Sequence, residues 1–71
     1  MNDYTIQFIR NTTDQKILAE ILRTEKDDYV ACYAASNPHC SLEVLVEIIK
    51  QRNNNDVVSQ WAASNPTYKQ Y

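Results

Sequence analysis

The sequence predicts an all-α protein, a short solenoid of about two and a half helix-pair repeats. Three observations carry this reading. Glycine is absent from all 71 residues, which disfavours tight hairpin turns and most left-handed helix caps, and with them an all-β fold. Ala34-Ala35-Ser36-Asn37-Pro38 recurs as Ala62-Ala63-Ser64-Asn65-Pro66, 28 positions further on, and repetition at such a period marks stacked supersecondary units. Ahead of each copy, apolar residues recur at helical spacing.

The chain divides, as one domain over residues 1–71, into a degenerate half-repeat cap at 3–13, repeats at 14–40 and 41–66, and a tail at 67–71. In the half-repeat, Asp3-Tyr4 resembles Asp28-Tyr29, and Phe8 follows Asp3 as Tyr33 follows Asp28 and Trp61 follows Asp56. That equivalence predicts one short helix over 3–11. The first repeat opens with a longer helix whose Ile17, Leu18, Ile21 and Leu22 form one stripe, opposite Lys16, Glu20 and Arg23. Thr12 with Gln15, or Thr13 and Asp14, offers its N-cap. In the second repeat Ser41 is the natural cap, and only Glu43, Glu47, Lys50 and Gln51 interrupt an apolar helix over 42–51. A helix so apolar is covered on several sides and belongs in the middle of the molecule. The two long-helix segments align at an offset of 27, so the register slips by one within Asn53-Asn54-Asn55, where a loop absorbs an insertion cheaply.

The shorter helices begin at Asp28 and Asp56, whose carboxylates suit free N–H groups and the positive helix end. Both stop at Asn-Pro, because proline disfavours a helical residue before it and brings no N–H. The alanine pairs let neighbouring helices approach closely. Asn37 and Asn65 are expected to bond backbone of the adjacent unit and tie the stack together.

The run Asp28-Tyr29-Val30, Ala34-Ala35-Ser36-Asn37-Pro38-His39-Cys40 and Ser41-Leu42-Glu43-Val44-Leu45 resembles the leucine-rich repeat variant family, with its V-x-x-x-A-A-x-N-P-x-C-P-x-E-V-L-like pattern. The resemblance is good over 28–66 and loose over 3–27. It implies helix pairs stacked into a right-handed α-α superhelix that serves as a binding scaffold. Ser41 replaces the usual proline, and Thr67-Tyr68 follow the second Asn-Pro without a cysteine, which argues against a further unit beyond Pro66. Some members carry a cysteine-rich iron–sulfur segment, which nothing here matches.

Charge and composition narrow the function. Leu, Ile, Val and Phe supply 16 residues, enough for a thin folded core in place of disorder. The net charge of −2 does not suit a protein built to neutralise phosphates. The apolar runs are too short for a membrane span, and Asp3, Gln7 and Arg10 break any signal-peptide pattern. Cys32, His39 and Cys40 fall short of the four ligands of a structural metal site, so neither metal nor cofactor is expected. Cys40 reads as a small buried hydrophobe, His39 as solvated loop, and a Cys32–Cys40 disulfide is disfavoured in the expected cytoplasmic setting. Carboxylates such as Glu43 and Glu47 lie on helix surfaces, and a glycine-free chain has no phosphate loop, so an enzyme is not expected.

A helix-turn-helix-like nucleic-acid binder is the alternative, with 28–36 as recognition helix. That helix starts with acids and holds no Lys or Arg, and Arg23, Lys26 and Arg52 offer at most a weak basic edge. The preferred reading is a non-catalytic protein-protein interaction module, a small regulatory or inhibitory binder. Its partner is another protein or a second copy of the chain. An Asn-rich, glycine-free chain of this size suits an accessory protein of a phage or mobile element. Phe8 and Tyr33 are expected to fill the core seam. An exposed flank around Val57, Val58, Trp61 and Tyr68 is the expected contact surface, which makes Tyr33, Val57, Trp61 and Tyr68 the candidate partner-binding residues.

Overall fold

Side-chain caps set where each helix starts, as a chain without glycine requires. The computed structural model describes residues 4–52 and 56–70. The described residues form six helices and no strand: α1 Ile6–Asn11, α2 Gln15–Thr24, α3 Asp28–Ser36, α4 Leu42–Gln51, α5 Val57–Ala63 and α6 Pro66–Lys69. Each takes a cap from the residue before it: Thr5, Asp14, Asp27, Ser41, Asp56 and Asn65 in turn accept a backbone N–H of the first turn. The expected roles of Asp3, of the Asn53-Asn54-Asn55 slip and of Tyr71 lie outside the described residues. Three of the C-terminal ends share one form. Thr12, Glu25 and Asn37 close α1, α2 and α3 in extended conformation, with ψ of 145°, 126° and 124°. No left-handed residue is needed there, so no glycine is needed either.

Four boundaries differ from the expectation: helix α1, expected over 3–11, starts only at Ile6, after Tyr4 and the Thr5 cap. Asp27, not Asp28, caps α3, which frees Asp28 for an ion pair. Helix α5 ends at Ala63, with Ser64 as its cap between it and the Asn-Pro pair. The 67–71 segment is no plain tail, because Asn65 caps a further helical turn with Pro66 at its first position, where the missing N–H costs nothing. Ser41 restarts the chain into α4 after the first Asn-Pro, but Lys69 stands at the corresponding position after the second.

The helices pack in two rows. Short helices α1, α3 and α5 lie side by side, and α2, α4 and α6 follow one another on the other side. Contacts α2–α3, α4–α5 and α5–α6 join the rows. Helix α4 touches α2, α5 and α6, as α3 touches α1, α2 and α5 and α5 touches α3, α4 and α6, and it buries Val44, Leu45, Ile48 and Ile49. Leu18, Ile21, Val58 and Ile9 complete the centre of the core. Ala31, Ala34, Ala35 and Ala62 are wholly buried, small side chains on the faces that α3 and α5 turn to the core.

Asn37 and Asn65 lock the short-helix row. The side-chain amide of Asn37 donates to the carbonyls of Ile9 (2.8 Å), Arg10 (3.3 Å) and Thr12 (2.9 Å) at the end of α1. That of Asn65 donates to Ala35 (2.7 Å) and Asn37 (2.8 Å) at the end of α3. Each Oδ1 also accepts the N–H two residues on, His39 at 2.7 Å and Thr67 at 2.8 Å. Both asparagines are 1% exposed, and both satisfy carbonyls that a helix end leaves without an internal partner. Asn37 thus closes the end of α1, and Asn65 the end of α3. The aromatic seam differs from the expectation, however. Phe8 is 40% exposed and stacks on Tyr4 at 4.9 Å, while its neighbour Ile9 takes the core position at 1%.

Candidate protein-docking groove

The first turns of α3 and α5 lie close together, because Arg52 at the end of α4 bonds Asp28 (3.2 Å) and Asp56 (2.6 Å) with one nitrogen. Asn65 draws their other ends together. The two helices therefore run parallel, and residues one turn apart on each create matching ridges. Tyr29 and Tyr33 form the ridge on α3, and Val57 and Trp61 the ridge on α5. Between them, with Cys32 in the floor, lies an apolar groove of 310 Å³. Tyr33 and Trp61 meet across it at 6.0 Å between ring centroids, tilted by 60°. Along α3, Tyr29 and Tyr33 pack edge to face at 5.3 Å, and the Tyr33 hydroxyl donates to that of Tyr29 at 3.3 Å. The Arg10 guanidinium lies 5.8 Å from the Tyr33 ring centre and steadies the ring from the α1 side.

These walls stay in solvent. Tyr29 is 64%, Val57 45% and Trp61 40% exposed, and Tyr33 is partly buried against the core. Of the four residues singled out by sequence, the structure brings Tyr33, Val57 and Trp61 together. Tyr68 lies on α6, half-buried against the core cluster, and is not among the groove's walls. Val58, expected on the exposed flank, is fully buried, since the helical step of about 100° turns it inward from Val57. Two lining residues went unselected: Tyr29, whose signal is its four-residue spacing from Tyr33 and its match to Val57, and Cys32. On its other side Trp61 borders a second concavity, of 430 Å³, with the polar Ser36, Gln60, Ser64 and Asn65.

The ionisable groups are mostly engaged in structure. Arg23 makes a two-point pair with Glu47, at 2.9 and 3.0 Å. Its hydrogen bonds hold the Glu47 carboxyl below the usual range. Partial burial works against the charge on Asp56, but the Ser59 N–H and Arg52 outweigh it and hold that carboxyl low as well. Two members of the expected basic edge, Arg23 and Arg52, thus already face carboxylates. Both cysteines are free and buried. Burial pushes the Cys40 thiol up to about 11. It also raises Cys32, with help from the Asp28 and Asp56 carboxylates, so the surroundings of both thiols disfavour the thiolate form.

Among the described residues no three His, Cys, Asp or Glu side chains gather as a cation site, and no helix is long and apolar enough to cross a membrane. In comparisons with protein families, with characterised proteins and with solved structures, nothing matches this chain.

Proposed function

We propose that this chain is a non-catalytic protein-protein interaction module, a small regulatory or inhibitory binder that docks on a partner through the α3–α5 groove. The observation that carries the reading is the composition of the groove walls. Tyr29, Val57 and Trp61 stay substantially exposed, with Tyr33 half-buried between them, beside a core that alanines and aliphatics already fill. Tyr and Trp bring large, stiff, amphipathic contact area at low entropic cost, and they dominate the energetics of protein interfaces. An exposed apolar patch of this kind on a small protein marks a contact surface.

The scaffold behind the groove is read as a short α-α superhelix of the leucine-rich repeat variant type. Support comes from the matching clasps of Asn37 and Asn65 and from the two rows of helices. Protein is preferred over nucleic acid as partner because Arg23 and Arg52 already spend their charge on internal carboxylates. The two free thiols suit a reducing cytoplasm.

Affinity purification from the native host tests the proposal, with the wild-type chain beside Tyr29→Ala and Trp61→Ala proteins verified as folded by circular dichroism. The expected result is a partner retained by wild type and lost by both variants. Equal retention by all three would refute the groove as the binding surface.

A further inference from the structure

Resting on the docking role of the groove, we infer that its occupant is an amphipathic helix of a partner protein, carrying apolar side chains one turn apart and a basic residue at one end. The walls set the first part. Tyr29 and Tyr33, like Val57 and Trp61, are four residues apart on parallel helices, so the groove offers two apolar stations about 6 Å apart. Side chains at i and i+4 of an incoming helix match that spacing. An extended peptide could match it too, but it needs main-chain partners. Here the walls are helices whose N–H and C=O groups are already bonded within α3 and α5, so an extended backbone would find none. A helix brings its own hydrogen bonds and suits a groove made only of side chains.

Charge sets the second part. The helix starts at one end of the groove gather Glu25, Asp27, Asp28 and Asp56, four carboxylates against the two cations Lys26 and Arg52. Asp27 and Asp28 are exposed, and the Asp28 side chain keeps 51% of its surface in water despite its pair with Arg52. The field of Asp28 and Asp56 reaches the groove floor, where both raise the Cys32 thiol. Toward the other end Arg10 sits against Tyr33. A ligand helix therefore gains from Lys or Arg over the Asp27–Asp28 end, which also complements the excess negative charge there. A C-terminal last turn rich in bases, its dipole already favouring them, is the natural fit and sets the ligand antiparallel to α3 and α5.

A random-peptide display library panned on the full-length chain, then on its Trp61→Ala variant, tests this. The expected winners carry apolar residues three or four apart with Lys or Arg beside them, gain helicity on binding, and shift the emission of Trp61, the chain's one tryptophan. A synthetic winner should bind an Asp27→Asn/Asp28→Asn protein about fivefold more weakly, with the gap closing as salt rises. Asn keeps the α3 cap, so this variant stays folded. Winners of extended or acidic type, no enrichment at all, or affinity indifferent to the two aspartates would overturn the inference and leave the groove itself standing. Winners that hold the Trp61→Ala chain equally well would instead sink the docking role on which it rests. A Trp61-dependent dimer in sedimentation would assign the groove to a second copy and overturn the partner helix.

Discussion

Replacing Asn65 by alanine removes one clasp of the short-helix row, and the structure sets what that costs. Three hydrogen bonds go: the two from Nδ2 to Ala35 and Asn37, at 2.7 and 2.8 Å, and the one that Oδ1 accepts from Thr67 at 2.8 Å. The Asn37 carbonyl keeps a second donor, the Cys40 N–H at 3.0 Å, so the Ala35 carbonyl bears most of the loss. Leaving a buried acceptor without its donor costs about 1–3 kcal/mol, and losing the α6 cap adds about 1 kcal/mol. The total, about 2–4 kcal/mol, is a large share of the roughly 4–10 kcal/mol expected for a domain of this length. At about 4–8 °C per kcal/mol for so small a domain, the midpoint should fall by about 8–32 °C. Asn65→Asp keeps the Thr67 bond but sets a carboxylate against two carbonyls, so it should be worse than alanine. Asn11→Ala, on an exposed residue bonded only to its own helix, is the control and should stay within about 0.5 kcal/mol. Thermal and urea unfolding, followed together by far-ultraviolet circular dichroism and Trp61 emission, provide the readout. An Asn65→Ala midpoint equal to that of Asn11→Ala would refute the clasp.

Other outcomes follow from the same contacts. Arg52→Ala releases the joined starts of α3 and α5 and should destabilise by about 1 kcal/mol, less in high salt, as urea titration would report. Asp56 and Glu47 have lowered folded values, so their contribution is full above the unfolded carboxylate range and is lost as pH falls through the folded values. Melting points should hold from pH 7 to about 5 and drop below about 4, and Arg52→Ala should make that drop shallower. The thiols have the opposite sign. With folded values raised, their contribution is full below the unfolded thiol range and fades as pH rises from about 9 toward 11, a loss that Cys40→Ala should reduce. At neutral pH, iodoacetamide should modify both cysteines far more slowly in the folded chain than in urea, as mass spectrometry would show.

Much of the helical plan is legible in the sequence because it depends on local chemistry. The stripe of Ile17, Leu18, Ile21 and Leu22, the Ser41 cap and the Asn-Pro stops are decided within a turn or two of chain. The buried face of α4, with Val44, Leu45, Ile48 and Ile49, could also be read, since only a narrow polar strip interrupts its apolar surface. The roles of Asn37 and Asn65 were visible because each is written twice in the same setting. What the repeat conceals is rotation about a helix axis. Phe8 aligns with Tyr33 and Trp61 in sequence, and in each helix the residue after the ring, Ile9, Ala34 or Ala62, takes the buried position, so Phe8 turns out to Tyr4 instead of filling the core. A one-residue difference is about 100° on a helix, enough to exchange core for solvent, and it likewise separates Val57 from Val58. The α6 turn was missed because Asn-Pro ends one helix and starts another with the same chemistry, an extended residue followed by a fixed φ. Tyr68, placed on an open flank by its position in the chain, packs on the core because that turn folds it back. The groove itself needed the pairing of α3 with α5, which no local pattern states.

Acrylamide quenching of Trp61 emission, measured on the free chain and again with the partner that affinity purification recovers, addresses the docking surface most directly. The free chain should be quenched readily, in keeping with a tryptophan residue that is 40% exposed. The bound chain should be strongly protected, with its emission shifted to the blue. Quenching that stays the same in the complex would contradict the account, since it would place the partner somewhere other than between α3 and α5.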